Sequence, residues 1–376
     1  MALDDVRELN PELNPDLNLE LNEVREFLVK GAGRLFPGAV LAFGPLAQKP
    51  HLVWVGQRGL TRNQEPVRPD LVYDLASVTK ILATTFLTMI LLAEGRLATN
   101  QVLGDFGWPG AAGQMTLASL LSHASGLPPW RPLYRLKPEP TLRASYQKAI
   151  ELEAEKPLCP LGDRVIYSDL NFLALGFVLE DLSQMALGQL FAERIQKPLN
   201  LATLGFHPGA NPLIGSIAPT EDGFRVGGPL AYPGAPILGP TPLGRPHDDN
   251  AAALGGAAGH AGLFGSAQEI WTVLSHWSLV LNNHAGLVNL ETLKTFLEPQ
   301  KVKYGQPRAL GFDLGQEDMA GLWGHWGYTG GGVWWDPVRD WGLVFLTNRV
   351  HPTARREGLG PFRRELIGLA RSFLAP

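Results

Sequence analysis

Ser77 and Lys80 stand three residues apart in the stretch LASVTK, residues 75–80, directly ahead of the apolar run ILATTFLTMILLAEG. A helix over that run brings both side chains to one face, one turn apart. A serine hydroxyl becomes an effective nucleophile only when a base takes its proton, and a lysine whose pKa is lowered by burial is one such base. Lysine is rarely buried without a partner, so its place at the mouth of an apolar helix needs either a route to water or a chemical task. The helix N-terminus adds backbone N–H groups, that of Ser77 among them, able to hold a developing oxyanion. Two common residues at a fixed spacing also arise by chance, so the pair alone decides nothing.

Two further places supply company. Tyr167, in GDRVIYSDLNFLALG, stands at the entry of a strongly helical stretch. A phenol beside a lysine cation loses its proton more easily and can act as general base toward Ser77; the plain alternative is a core tyrosine closing the helix. In GHWGYTGGGVWWDP, residues His325 to Gly332 lead into a strand. Glycines there allow close approach of backbone and ligand, and an unpaired strand edge offers a second oxyanion donor. A histidine among these five glycines has little core to occupy.

The elements that must position these residues are readable in outline. Apolar spacing from Leu21 to Leu35 suits an amphipathic helix, and GAVLAFGP and HLVWVGQRG read as two strands. Near the other end, GGVWWDPVRDWGLVFLTNRV reads as two strands around the Asp336-Pro337 turn, followed by a helix from about Pro361 to Phe373. Both ends look like parts of one antiparallel sheet. Helix signals dominate between them: Thr116, Ser168 and a capping box from Ser266 to Glu269 each precede an apolar run. The Gly/Pro-rich passage from Pro208 to Gly265 has little periodicity and is expected to border a site. A Leu-Asn-x-acid repeat from Leu9 to Glu23, interrupted by Pro11 and Pro15, reads as a solvated or loosely docked extension.

With the three motifs in hand, the chain resembles the serine β-lactamase and penicillin-binding-protein superfamily. Within it, the likeness is to the branch of class C β-lactamases, D-Ala-D-Ala carboxypeptidases and family eight esterases. Its ordered signature appears as Ser77 to Lys80, Tyr167 to Asp169, and His325 to Gly327, and LLSHASGLPPW and FAERIQKPLNLATLGF resemble connecting segments of that branch. The resemblance implies an α/β domain with an antiparallel sheet formed by both chain ends (residues 24–105 and 310–376). An inserted, mostly helical domain (106–309) follows from it, with the site at their junction and residues 1–23 as an extension. It implies Ser77 as nucleophile, Lys80 as proton relay, Tyr167 as general base, and the N–H groups of Ser77 and Tyr328 as oxyanion hole. It also puts His325 near the substrate. Two departures stand out. Asp169 replaces an asparagine whose amide donates to substrate, and a carboxylate only accepts. Trp326 replaces a threonine whose hydroxyl helps hold a substrate carboxylate in relatives. Both favour a neutral ester over a β-lactam or a D-Ala-D-Ala peptide.

Composition fits this reading. Of 376 residues, 45% are hydrophobic and 18% charged, and the net charge of −4 with no extended basic patch gives no electrostatic footprint for nucleic acid. The acidic N-terminus does not read as a secretory signal, and the longest apolar run, Ile81 to Ala93, reads as too short to cross a bilayer. The single cysteine, Cys159, suits a reducing compartment. A cytoplasmic serine hydrolase that needs no metal or organic cofactor is therefore expected, acting on small esters first, on D-Ala-D-Ala peptides second and on β-lactams last. Two other classes compete. His247, Asp248, Asp249 and His260 lie close enough in sequence to suggest metal-assisted hydrolysis, though no metal signature is matched. A non-catalytic scaffold of the same fold would be free to lose Ser77, Lys80 and Tyr167, and here all three are present.

Overall fold

A computed structural model of the chain describes residues 15–61, 64–206, 216–223, 225–226, 237–306, 308–354 and 357–373. Residues near both termini build one six-stranded, wholly antiparallel sheet. Strands β1 (Gly38–Pro45) and β2 (His51–Gly56) come from the N-terminal part. Strands β3 (Asp313–Leu314), β4 (Trp323–Trp326), β5 (Gly332–Asp336) and β6 (Trp341–Thr347) come from the C-terminal part. The order is β2-β1-β6-β5-β4-β3, so β1 and β6 lie side by side at the centre, with Ala39 opposite Thr347 and Phe43 opposite Leu343.

Alternation along β1 divides the core in two, because successive side chains of a strand face opposite ways. Ala39, Leu41 and Phe43 face a layer made by helices α1 (Pro15–Gly31) and, at the far end of the chain, α5 (Leu359–Arg371). Val40 and Ala42 face a larger core shared by α2 (Phe86–Ala93), α3 (Asp169–Ser183) and α4 (Ala267–Leu281). Helix α4 lies against β1 and β6. The architecture is thus mixed α/β, with both ends in one antiparallel sheet, as expected from the sequence.

Several local expectations change. Helix α1 begins at Pro15, which a first helical position tolerates because its missing N–H has no intrahelical partner there; residues 9–14 of the repeat lie outside the described residues. Thr116 and Ser168 do cap, accepting from the N–H groups of Ser119 and Leu170. Ser266 makes no side-chain cap. Glu269 reaches out of its helix to accept from the N–H groups of Ala202, Thr203 and Leu204, so it serves a neighbouring loop instead of a capping box. Residues Ala76–Ala93 form an 18-residue helical stretch that is long and apolar enough to cross a membrane, contrary to the reading of Ile81–Ala93 alone. It is 83% buried inside the fold and acts as a core helix.

Candidate active site

The turn that carries Ser77 is held from several directions. Ser77 lies in the 3-10 turn Ala76–Val78, and Lys80 opens a wider π-helical turn, Lys80–Thr85, that runs into α2, so the expected regular helix is irregular where the motif sits. Ala76 has φ of +45°, a left-handed conformation that costs energy for a residue with a Cβ and needs outside support. Asp74 supplies it. Its carboxylate accepts from the N–H groups of Ala76 (2.9 Å) and His247 (2.7 Å), and its carbonyl accepts from the Thr329 hydroxyl (2.7 Å). The end of β4 closes in from the other side: a Cβ on Gly327 would lie 2.6 Å from the Leu75 carbonyl oxygen, so only glycine permits this approach.

Lys80 is fully buried and points its ammonium at three acceptors: Ser77 Oγ at 3.0 Å, Asp169 Oδ1 at 2.7 Å and the His260 carbonyl at 3.2 Å. Three N–H bonds meet three acceptors. Tyr167 covers this cluster, its ring centre 4.9 Å from Lys80 Nζ. Burial disfavours the ammonium, but the carboxylate of Asp169 and the nearby Tyr167 outweigh it, and the Lys80 pKa is raised. Burial raises the Tyr167 phenol as well; the charge of Lys80 pulls it down and that of Asp169 pushes it up, with a raised pKa as the result. The resting site therefore holds a protonated lysine and a protonated tyrosine. This corrects the expectation that burial frees the lysine and that the lysine frees the phenol: Asp169 holds the proton on Lys80, and burial, with Asp169 added, holds it on Tyr167.

A cavity of about 600 Å³ opens beside this cluster, and Ser77, Tyr167 and Asp169 line it together with His325, Trp326, Gly327 and Tyr328. Every residue given a catalytic or substrate-binding role from the sequence thus lines this cavity, except Lys80, whose ammonium is bonded to the lining residues Ser77 and Asp169. Strand β4 pairs with β3 only at Trp323 and Gly324, so its end at His325 and Trp326 is an unpaired edge on the side away from β5. His325 does have a core to occupy: it is 5% exposed, and its ring lies 5.6 Å from that of Tyr167. Its Nδ1 is 2.7 Å from the Trp326 carbonyl, which only accepts, so Nδ1 carries the proton and Nε2 has a bare lone pair. Burial, with Arg308 and Lys80 nearby, lowers its pKa well below the usual histidine value and keeps the ring neutral at pH 7. The Trp326 ring lies under Arg363, whose guanidinium carbon is 4.2 Å from the ring centre.

The Gly/Pro-rich passage does border the cavity where it is described, through His247, Asp248, Asp249 and Ala261; residues 207–215, 224 and 227–236 lie outside the described residues. The four suspected metal ligands do not converge. His247 pairs with Glu221 and Asp249 with Arg245, while Asp248 pairs with His260 at 2.8 Å. The group that does gather is Asp169, Asp248 and His260, and of its ligand atoms Asp169 Oδ1 is already bound by the Lys80 ammonium at 2.7 Å. Asp74 and Arg308 went unnoticed in the sequence, and Asp248 was noticed only as a candidate metal ligand. Asp74 carried a faint signal, an aspartate two residues before a turn, a pattern in which the side chain bonds backbone N–H groups.

The chain matches the family model described as Beta-lactamase over residues 30–367. It is 30% identical over 336 residues to a Salmonella enteritidis PT4 protein provisionally named a D-alanyl-D-alanine carboxypeptidase, a match covering 81% of this chain and 76% of that one. A penicillin-binding-protein homologue from Caulobacter crescentus shares the fold with a TM-score of 0.72 at 20% identity, covering 96% of this chain and 98% of that one. EstCE1, a hydrolase with promiscuous acyltransferase activity, shares it with a TM-score of 0.71 at 18% identity, covering 94% and 100%.

Proposed function

The chain belongs to the Beta-lactamase family, and on that footing we propose that it is a serine hydrolase working through an acyl-enzyme on Ser77, with small carboxylic esters as its substrates. The observation that carries this reading is the 3.0 Å contact from Lys80 Nζ to Ser77 Oγ at the floor of a cavity that Tyr167 also lines. Ser77 Oγ attacks the ester carbonyl while its proton passes to the Tyr167–Lys80 pair. The N–H groups of Ser77 and Tyr328 hold the oxyanion, Tyr167 returns the proton to the leaving alcohol, and water then releases the acid. Because both members of the pair rest protonated, the competent form has lost one proton, and the rate should climb with pH.

Asp169 supports an altered second motif. Its Oδ1 is bound to Lys80, so it acts on the lysine and has no N–H to offer a substrate carbonyl. A carboxypeptidase reading stands second, favoured by the name given to the Salmonella relative. A cytoplasmic setting is part of the proposal, supported by the unpaired, partly exposed Cys159, and cell fractionation tests it. The substrate class is tested by turnover of a p-nitrophenyl ester, a penicillin and a D-Ala-D-Ala peptide by wild type and by Lys80→Ala. The ester should turn over fastest, and Lys80→Ala should lose roughly 100-fold or more. Faster peptide release than ester hydrolysis overturns the ester assignment, and a Lys80 variant within a few-fold of wild type overturns the relay.

A further inference from the structure

The segment LLSHASGLPPW puts a histidine where a helix stop usually has glycine. It runs off the short helix Leu117–Leu121, and the N–H groups of His123 and Ala124 bond back to the carbonyls of Leu120 (3.2 Å) and Ser119 (2.8 Å). That pair of bonds turns the chain through a left-handed residue, which glycine supplies freely. His123 supplies it with φ of +58°, at a cost for any residue with a Cβ. A second cost lies in its ring. His123 is fully buried, and its Nε2 has no hydrogen-bond partner among the described residues. Nδ1 faces two donors, the Ser168 N–H at 3.0 Å and the Asn171 amide at 3.2 Å, and the amide is oriented by the Ser125 hydroxyl on Asn171 Oδ1 at 2.6 Å. Nδ1 therefore carries the lone pair and Nε2 the orphaned proton. Glycine would avoid both costs, so the histidine answers to something else.

What it meets is Tyr167. The His123 carbonyl accepts from the N–H of Ile166 (2.8 Å) and its Nδ1 from the N–H of Ser168, so the two bonds bracket Tyr167 along its own backbone. The imidazole also lies against the phenol ring, with centres 4.6 Å apart. Further along the same segment, the carbonyls of Pro128 and Pro129 accept from the Ser168 hydroxyl (2.6 Å) and the Asp169 N–H (2.9 Å). Residues 123–129 thus form a cradle for residues 166–169. Burial, with the charges of Arg308 and Lys80 nearby, lowers the His123 pKa well below the usual histidine value, so Nδ1 stays an acceptor at pH 7.

We propose that His123 is a positioning residue, which fixes the backbone and ring of Tyr167 so that the phenol reaches the leaving group of the substrate. This rests on the serine-hydrolase reading of Ser77 and Tyr167. His123 is not among the residues that line the cavity, so it acts through Tyr167 and not on the substrate. Its removal should therefore impair proton delivery to the leaving alcohol more than any step that does not need that proton.

The test compares kcat/KM for the ethyl and p-nitrophenyl esters of one short acid. Both need Ser77 activated, but p-nitrophenolate leaves unaided, whereas ethoxide must be protonated as it leaves. His123→Phe keeps a ring and removes the acceptor, and it should lose about tenfold more on the ethyl ester than on the p-nitrophenyl ester. His123→Asn keeps an acceptor near Nδ1 and tolerates a left-handed backbone, so it should hold the ratio of the two esters within about threefold of wild type. Tyr167→Phe should show the selective loss by itself, and adding His123→Phe should not deepen it. If His123→Phe does not fold, His123→Gln, with its acceptor one bond further out, must show the selective loss in its place. Equal losses on both esters, an asparagine variant as poor as the phenylalanine one, or a loss that deepens fully in the Tyr167→Phe background overturns the positioning role alone. No fluorophosphonate adduct on wild-type Ser77 overturns it together with the hydrolase reading, and no selective loss in Tyr167→Phe overturns it together with the proton-donor role of Tyr167.

Discussion

At the scale of single residues, Asp169 changes how the site must work. An asparagine in its place would leave Lys80 with Tyr167 as its main electrostatic partner, and a proton could be shared between lysine and phenol. The carboxylate 2.7 Å from Nζ holds the proton on Lys80 and, through its charge, opposes phenolate at Tyr167. Asp169→Asn should therefore lower both pKa values, and the acidic limb of the kcat/KM profile should move to lower pH, with higher activity near neutrality. An unmoved limb, or one displaced upward, means that Asp169 does not control the pair. Ser77, Lys80, Tyr167 and the His325–Tyr328 run were legible in the sequence because each lies in a short stretch with its own spacing. The protonation state was not, since it depends on Lys80 and Asp169, 89 positions apart, meeting in the fold.

Between elements, the site depends on a few close approaches. Helix α3, which presents Asp169, passes close to the segment at Gly259, where a Cβ would fall 1.9 Å from the Phe172 carbonyl oxygen. The Gly259 carbonyl accepts from Thr84, and the next residue, His260, supplies the carbonyl that binds Lys80. Gly259→Ala should destabilise the fold by about 3 kcal/mol and loosen the lysine, read as a lower denaturation midpoint together with a fall in kcat. Wild-type stability in that variant would show that the contact relaxes freely. The helices and strands that flank the site were readable from apolar periodicity and capping residues. The π-helical turn after Ser77 and the outward reach of Glu269 were not, because both answer to tertiary partners and carry no local pattern.

Across the whole molecule, the two ends of the chain are bound into one layer by aromatic packing. Phe362 of α5 stacks on Phe27 of α1 with ring centres 4.6 Å apart and meets Phe36 edge-on at 5.6 Å. Arg363, the next residue, lines the cavity, so the layer that closes the fold also places a side chain at the site. Phe362→Ala should cost about 3–5 kcal/mol in equilibrium unfolding; a loss under 1 kcal/mol would mean that α5 docks independently of this cluster. The sheet built from both ends was visible in the sequence as two pairs of strands with matching character. The placing of Arg349 and Arg363 against the cavity was not, because it depends on how α5 and the segment after β6 dock.

The most direct test of the central claim is to trap the acyl-enzyme. Wild type and Ser77→Ala are mixed with a slowly released ester, quenched in acid within seconds, digested and mapped by mass spectrometry. The expected result is one acyl mass on the peptide bearing Ser77, absent from the alanine variant. An acyl group on another residue, or ester turnover undiminished in Ser77→Ala, would contradict it.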